Sequence, residues 1–192
     1  MNRPRGRPTR GQGVTLGAIL DAALVLLEQD DGRGLSMRAL AARMDLTPMS
    51  LYHHVDDRAG LLRLLADKVY GGVLDEAENP ADGVAAVREL LVRYHDAVGR
   101  HPQLTLAIFA EPAALAGAAQ RITERLEALL EPLSPEHILW RDILVDHAHG
   151  SGLALGAFLA HPEQAAALRE QYRRALDALL AGLAGGGPAH AV

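Results

Sequence analysis

Two groups of residues in this 192-residue chain have the types and spacing to do chemistry. The first is the opening strip MNRPRGRPTRG, residues 1–11, in which Arg3, Arg5, Arg7 and Arg10 stand with two prolines and two glycines and no carboxylate. Such a strip is either a solubilising disordered tail or an arm that lies along a polyanion. The second is a set of imidazoles and charges, His95, Arg121, Asp146, His147 and His149, that at first sight suggests a metal. His147 and His149 are two apart, about 200° around a helix, and cannot chelate from one face. With no cysteine and no His-x-x-x-His pair, neither a metal nor a cofactor is expected.

The commoner catalytic designs are missing as well. The sequence has no phosphate-binding P-loop, no G-x-S-x-G elbow and no dinucleotide fingerprint, and its later carboxylates are scattered along helix surfaces. An enzyme is not expected. The opening has no apolar run behind its charges, and the most nearly apolar stretch, Gly150 to Ala160, is too short to span a bilayer, so a cytoplasmic protein without membrane contact is expected. The net charge of -5 is unevenly spread: residues 1–70 hold ten Lys/Arg against eight Asp/Glu, whereas residues 71–192 hold nine against sixteen. An anionic partner would therefore be met near the N-terminus.

The elements that must position these groups are helical. Hydrophobic residues make up 49% of the chain but aromatics only 4%, with Ala and Leu dominant, which favours helix over sheet. Thr15 caps a first helix carrying Leu16, Ile19, Leu20, Ala23 and Leu27 at the helical period, stopped by Gly32 and Gly34. Ser36 caps a second, Met37 to Met44, with Leu40, Ala41 and Met44 inward. After a tight turn at Asp45 and Leu46, Thr47 caps a third helix with Pro48 at its first position and one buried stripe, Leu51 and Val55. Asp56 or Asp57 caps a fourth through Leu61, Leu62, Leu65, Ala66 and Val69. Asn79-Pro80-Ala81-Asp82-Gly83 reads as a boundary. Beyond it prolines mark helical blocks at about 83–100, 103–110, 113–131, 135–160 and 162–184. The expected organisation is a basic, disordered arm (1–14), a small helical domain (15–78), a larger helical domain (83–184) and a disordered tail (185–192), all-α throughout.

Two short helices joined by a tight turn, the second capped and polar-faced, form a helix-turn-helix pattern. One buried stripe leaves the opposite face of the third helix free for the DNA major groove, where each base pair offers a distinct donor and acceptor pattern. An ordinary three-helix core has the same periodicity.

Residues 34–70, GLSMRALAARMDLTPMSLYHHVDDRAGLLRLLADKVY, resemble the DNA-binding domain of the tetracycline-repressor (TetR) family, above all in Leu51-Tyr52-His53-His54-Val55 followed by Leu61-Leu62. With Ile19, Ala22 and Ala23 the likeness covers about residues 15–70. It implies that Arg38 reaches bases or phosphate, that Pro48, Met49, Ser50 and His53 face the groove beside the capping Thr47, that Tyr52 and His54 meet phosphates, and that Arg58 adds a basic contact. Asp45 departs from the glycine usual at this turn, so a left-handed aspartate is expected there. Pro4-Arg5-Gly6-Arg7-Pro8 is similar to the core of an AT-hook, which lies in the minor groove of A·T-rich DNA.

For the larger domain the resemblance implies dimerisation and, often, a small-molecule ligand. Gly152 and Gly156 among Ser151, Ala154 and Ala157, with the stripe Leu168, Tyr172, Leu176, Leu179 and Leu183, suit a four-helix bundle made by two subunits; packing within one chain is the other reading. A homodimer would read a palindromic operator. Candidate pocket residues are Leu104, Ile108, Phe109, Ile122, Leu126, Trp140, Leu144, His147 and Phe158, with His95, Arg121, Asp146 and His149 as further polar groups. The expected function is a ligand-released transcriptional repressor. An activator built from the same domains, or an architectural protein coating A·T-rich DNA, are the alternatives.

Overall fold

The computed structural model describes residues 14–29, 34–75 and 83–184. The basic arm with Arg3, Arg5, Arg7 and Arg10, the Asn79–Asp82 boundary and the glycine-rich tail lie outside the described residues. Among the described residues all regular structure is helical, in the order α1 (Leu16–Glu28), α2 (Met37–Arg43), α3 (Pro48–Tyr52), α4 (Arg58–Tyr70), α5 (Gly83–Arg100), α6 (Pro102–Phe109), α7 (Ala118–Leu130), α8 (His137–Gly156) and α9 (Pro162–Ala184). Short 3₁₀ turns follow α4 at Gly71–Val73 and precede α7 at Pro112–Ala114. None of these helices is long and apolar enough to cross a membrane.

Each of the first four helices starts where the preceding side chain can cap it. The Thr15 hydroxyl accepts from Ala18 N at 3.2 Å, Ser36 from Ala39 N at 3.1 Å, Thr47 from Ser50 N at 3.2 Å, and the Asp57 carboxylate from Gly60 N at 2.6 Å. Each cap satisfies a backbone donor that the helix itself leaves free, stabilising by about 1 kcal/mol. Their apolar stripes meet in one core: Ile19, Ala23 and Leu27 of α1, Leu40 and Ala41 of α2, Leu51 of α3, and Leu61, Leu62 and Leu65 of α4 are buried. Between α2 and α3 the only described non-glycine residue with positive φ is Asp45, at 54°. The aspartate therefore takes the left-handed turn expected of it.

Three expectations about the elements need correction. The third helix is one turn shorter than its Leu51–Val55 stripe suggested: it ends at Tyr52, and Val55 reaches the core from the following turn, where His54 N and Val55 N both donate to Leu51 O. The block 113–131 is interrupted, because Gly117 at φ 64° sets the chain direction for α7. The third correction concerns Gly152 and Gly156. They serve packing inside the chain, where α8 passes close to α5 and the start of α6: a Cβ on Gly152 would lie 2.7 Å from Val98 Cγ1 and one on Gly156 2.8 Å from Pro102 Cγ. Of the α9 stripe, Tyr172, Leu176 and Leu183 are buried within the chain, the Tyr172 hydroxyl donating to Leu91 O at 3.1 Å, while Leu168 and Leu179 are half-buried.

Candidate nucleic-acid interface and ligand cavity

The α2–α3 unit separates its two faces by side chain. Leu40, Ala41 and Leu51 point into the core, while Arg38, Thr47, Pro48, Tyr52, His53 and His54 are exposed and Met49 is 67% exposed. Ser50 is half-buried and engaged with the cap, its hydroxyl 2.9 Å from that of Thr47. A large apolar side chain held this far into solvent on a rigid, capped helix is available to meet a thymine methyl or a base edge. Arg58 pairs with Glu111 of the α6–α7 connection at 3.6 Å, in a partly exposed ion pair.

Behind that surface, α4 is tied to the larger domain along its whole length. Arg63 donates to Ala113 O at 3.0 Å, and the Tyr70 hydroxyl is 2.7 Å from Thr105 Oγ1. At the centre, Asp67 Oδ1 accepts from Ala118 N at 2.7 Å and from Arg121 at 3.0 Å. Asp67 thus supplies, across the joint, the N-terminal cap that α7 lacks from its own preceding residue, Gly117. A Cβ on Gly117 would lie 2.7 Å from the Asp67 carboxylate and would displace it from the start of α7, and the positive φ there favours glycine on its own account. A cleft of about 510 Å³ runs beside this contact, lined by His54, Asp56, Arg63, Asp67 and Gly117 among others.

Next to the joint lies a smaller cavity, of about 50 Å³, lined by Tyr70, Tyr94, Thr105, Ile108, Phe109, Leu115, Ala119, Thr123 and His149. Of the predicted ligand residues the structure brings Ile108 and Phe109 to it, and His149 of the further polar candidates. Leu104, Ile122, Leu126 and Leu144 are buried elsewhere in the core. Trp140 is buried facing Gly182 of α9, and Phe158 lies exposed at the far end of α8. Arg121 is committed to Asp67, and Asp146 and His147 border a groove of about 380 Å³ between α8 and α9.

His95 is fully buried away from the cavity. Its ring stacks on Tyr172 at 3.8 Å and its Nε2 is 3.1 Å from Ser151 Oγ. Its neighbour Asp96 is held below the usual carboxylate range by the His95 ring nitrogen 3.6 Å away and, less strongly, by a hydrogen bond from Arg169, against the opposing effect of burial. This is a packed polar core linking α5, α8 and α9.

The cavity residues that the sequence did not announce are Tyr70, Tyr94, Thr105, Leu115, Ala119 and Thr123. Tyr70 follows the Leu61–Val69 stripe of α4, and nothing local shows that its hydroxyl crosses to α6. The scarcity of tyrosine, four in the chain, is the one signal that singles out Tyr70 and Tyr94.

Residues 19–65 match the family described as bacterial regulatory proteins, tetR family. The HTH-type transcriptional repressor DrrR1 of Streptomyces coeruleorubidus is 34% identical over 134 residues, which cover 66% of this chain and 48% of that protein. The chain thus matches about half the length of that relative. Among solved structures, the regulator SCO7222, a TetR from Streptomyces coelicolor, is 25% identical with a TM-score of 0.69, covering 90% of this chain and 98% of that one. BioQ of Mycobacterium smegmatis is 22% identical with a TM-score of 0.73, over 90% and 99% of the two chains, and shares the fold.

Proposed function

We propose that this chain, which carries a TetR-family DNA-binding domain inside the architecture of that family's regulators, works as a homodimeric repressor that binds a palindromic operator and is released by a small molecule. The observation that carries the reading is the double use of α4. Its buried face supports the recognition helix, and the same helix, through Tyr70, forms a wall of the cavity. A molecule that binds better when Tyr70 has shifted would bias the spacing of two recognition helices, which is all that release requires. Met49, His53 and Pro48 would read bases, Arg38, Tyr52 and His54 would add base or phosphate contacts, and Thr47 and Ser50 would hold the helix start. The arm arginines would enter the adjacent minor groove. The name of DrrR1 as a repressor favours repression over activation. Such a regulator works in the cytoplasm and needs no catalytic chemistry.

Support for the dimer rests on Gly150 rather than on Gly152 and Gly156. Gly150 is exposed in the middle of α8, and a Cβ there would meet nothing within 4 Å. Glycine costs a helix roughly 1 kcal/mol relative to alanine, and no contact within the chain offsets that cost. Close approach of a second copy would, at the α8–α9 face beside the groove.

Selection of binding sites from random duplex DNA at fixed, moderately high salt tests the reading. One palindrome with half-sites spaced about 34–36 Å is expected. Enrichment of A·T-rich sequence without symmetry would replace the repressor by an architectural protein whose arm dominates binding.

A further inference from the structure

From the lining of the α4–α8 cavity we infer the chemical class of its ligand: a small, uncharged, ring-bearing molecule with one hydrogen-bonding hydroxyl or carbonyl. This rests on the ligand-released reading above and adds what that reading leaves open.

Four rings pack in an unbroken edge-to-face series around the cavity. Tyr70 meets Tyr94 at 5.8 Å and 70°, Tyr94 meets His149 at 5.4 Å and 67°, and His149 meets Phe109 at 4.7 Å and 78°. Rings arranged in this way offer both edges and faces to a further ring, which joins the series at favourable geometry. The wall contains no Lys, Arg, Asp or Glu. Its titratable groups are held neutral: burial pushes the Tyr70 phenol up to about 12, raises Tyr94 and lowers His149. A carboxylate, phosphate or ammonium would lose its hydration here and find no counter-charge, a cost that neutral hydrogen bonds do not offset.

The polar positions are few and specific. The Tyr94 hydroxyl is 2.6 Å from His149 Nε2, and the Tyr70 hydroxyl bonds Thr105. An entering hydroxyl or carbonyl can insert at either pair, and insertion at the second reaches α4 directly. About 50 Å³ is too little for a ring, since a cavity that takes benzene measures about 150 Å³. The room would come from the rim, where Leu115 is 52% exposed and its side chain can move outward while Phe109 keeps its place against His149. The bound form is therefore wider at the α6–α7 connection, the segment that carries the ties to α4.

Calorimetric titration of the full-length protein with 2-naphthol, 2-naphthoate and naphthylmethylammonium tests the inference. 2-Naphthol is expected to bind at least about tenfold more tightly than either ion. Ala119→Phe, which fills the cavity, should abolish that binding. His149→Phe, which keeps the ring and removes the nitrogen, should weaken it about tenfold, and because it leaves the buried Tyr94 hydroxyl without that partner it should also lower the thermal midpoint by a few degrees. Equal binding of an ion, no heat with 2-naphthol up to about 1 mM, or unchanged 2-naphthol affinity in whichever of the two variants folds would overturn it. Displacement from the selected operator is scored separately. Binding of 2-naphthol without displacement keeps the ligand class and removes the ligand-release reading.

Discussion

The first four helices and α7 obtain their N-terminal caps in opposite ways. The helices α1 to α4 each take a hydroxyl or carboxylate from the residue just before them. None of α6, α7 and α8 has a side-chain cap from its own N-cap residue, and α7 is capped by Asp67, 51 residues earlier in the chain. Local caps fix where each of these helices starts without help from distant residues, as the proposed DNA-reading surface requires. A cap borrowed across a joint makes the start of α7 depend on where α4 lies, which is what the proposed ligand-released regulator would need of its larger domain.

The contrast can be broken from either side. The largest effect is expected at the α5–α8 crossing, where Gly152→Val drives a side chain into Val98 and the His95 carbonyl. It should lower stability in chemical denaturation by about 3 kcal/mol. Gly117→Ala should cost about 2 kcal/mol from the unfavourable backbone sign and the clash with Asp67. Hydrogen exchange in that variant should rise at the start of α7 and along α4, while α2 and α3 stay protected; equal exposure of α2 and α3 would mean that the two regions are not held independently.

Thr47→Ala removes a local cap and should cost about 1 kcal/mol, read as a lower thermal midpoint, with little change in exchange at α7. The smallest effect on stability belongs to Met49→Ala, within about 0.5 kcal/mol, because the residue is 67% exposed. The same variant should shift base preference in the selected operator. Unaltered preference would remove Met49 from the reading surface.

What could be read from the chain in advance follows this division. Thr15, Ser36, Thr47 and Pro48 announce helix starts because a cap acts over three residues, and the Leu40, Leu51 and Leu62 stripes announce a core because periodicity records which face is buried. The glycines show the limit of that logic. Gly150, Gly152 and Gly156 look alike in sequence, yet two of them admit α5 and Pro102 of the same chain and one faces open space. Of the candidate pocket residues, Leu104, Ile122, Leu126 and Leu144 were recognisably buried, but burial alone does not say against what.

The sequence by itself determined a helical protein with a capped, polar-faced recognition unit near its N-terminus, because those features depend on neighbours within one or two turns. Only the tertiary structure decided that Tyr70 shares a cavity with Tyr94, Phe109 and His149, that Asp67 caps α7, and that Arg58 turns to Glu111. Those pairings join residues 24 to 79 positions apart, and they arise from how the helices cross, which no local pattern encodes.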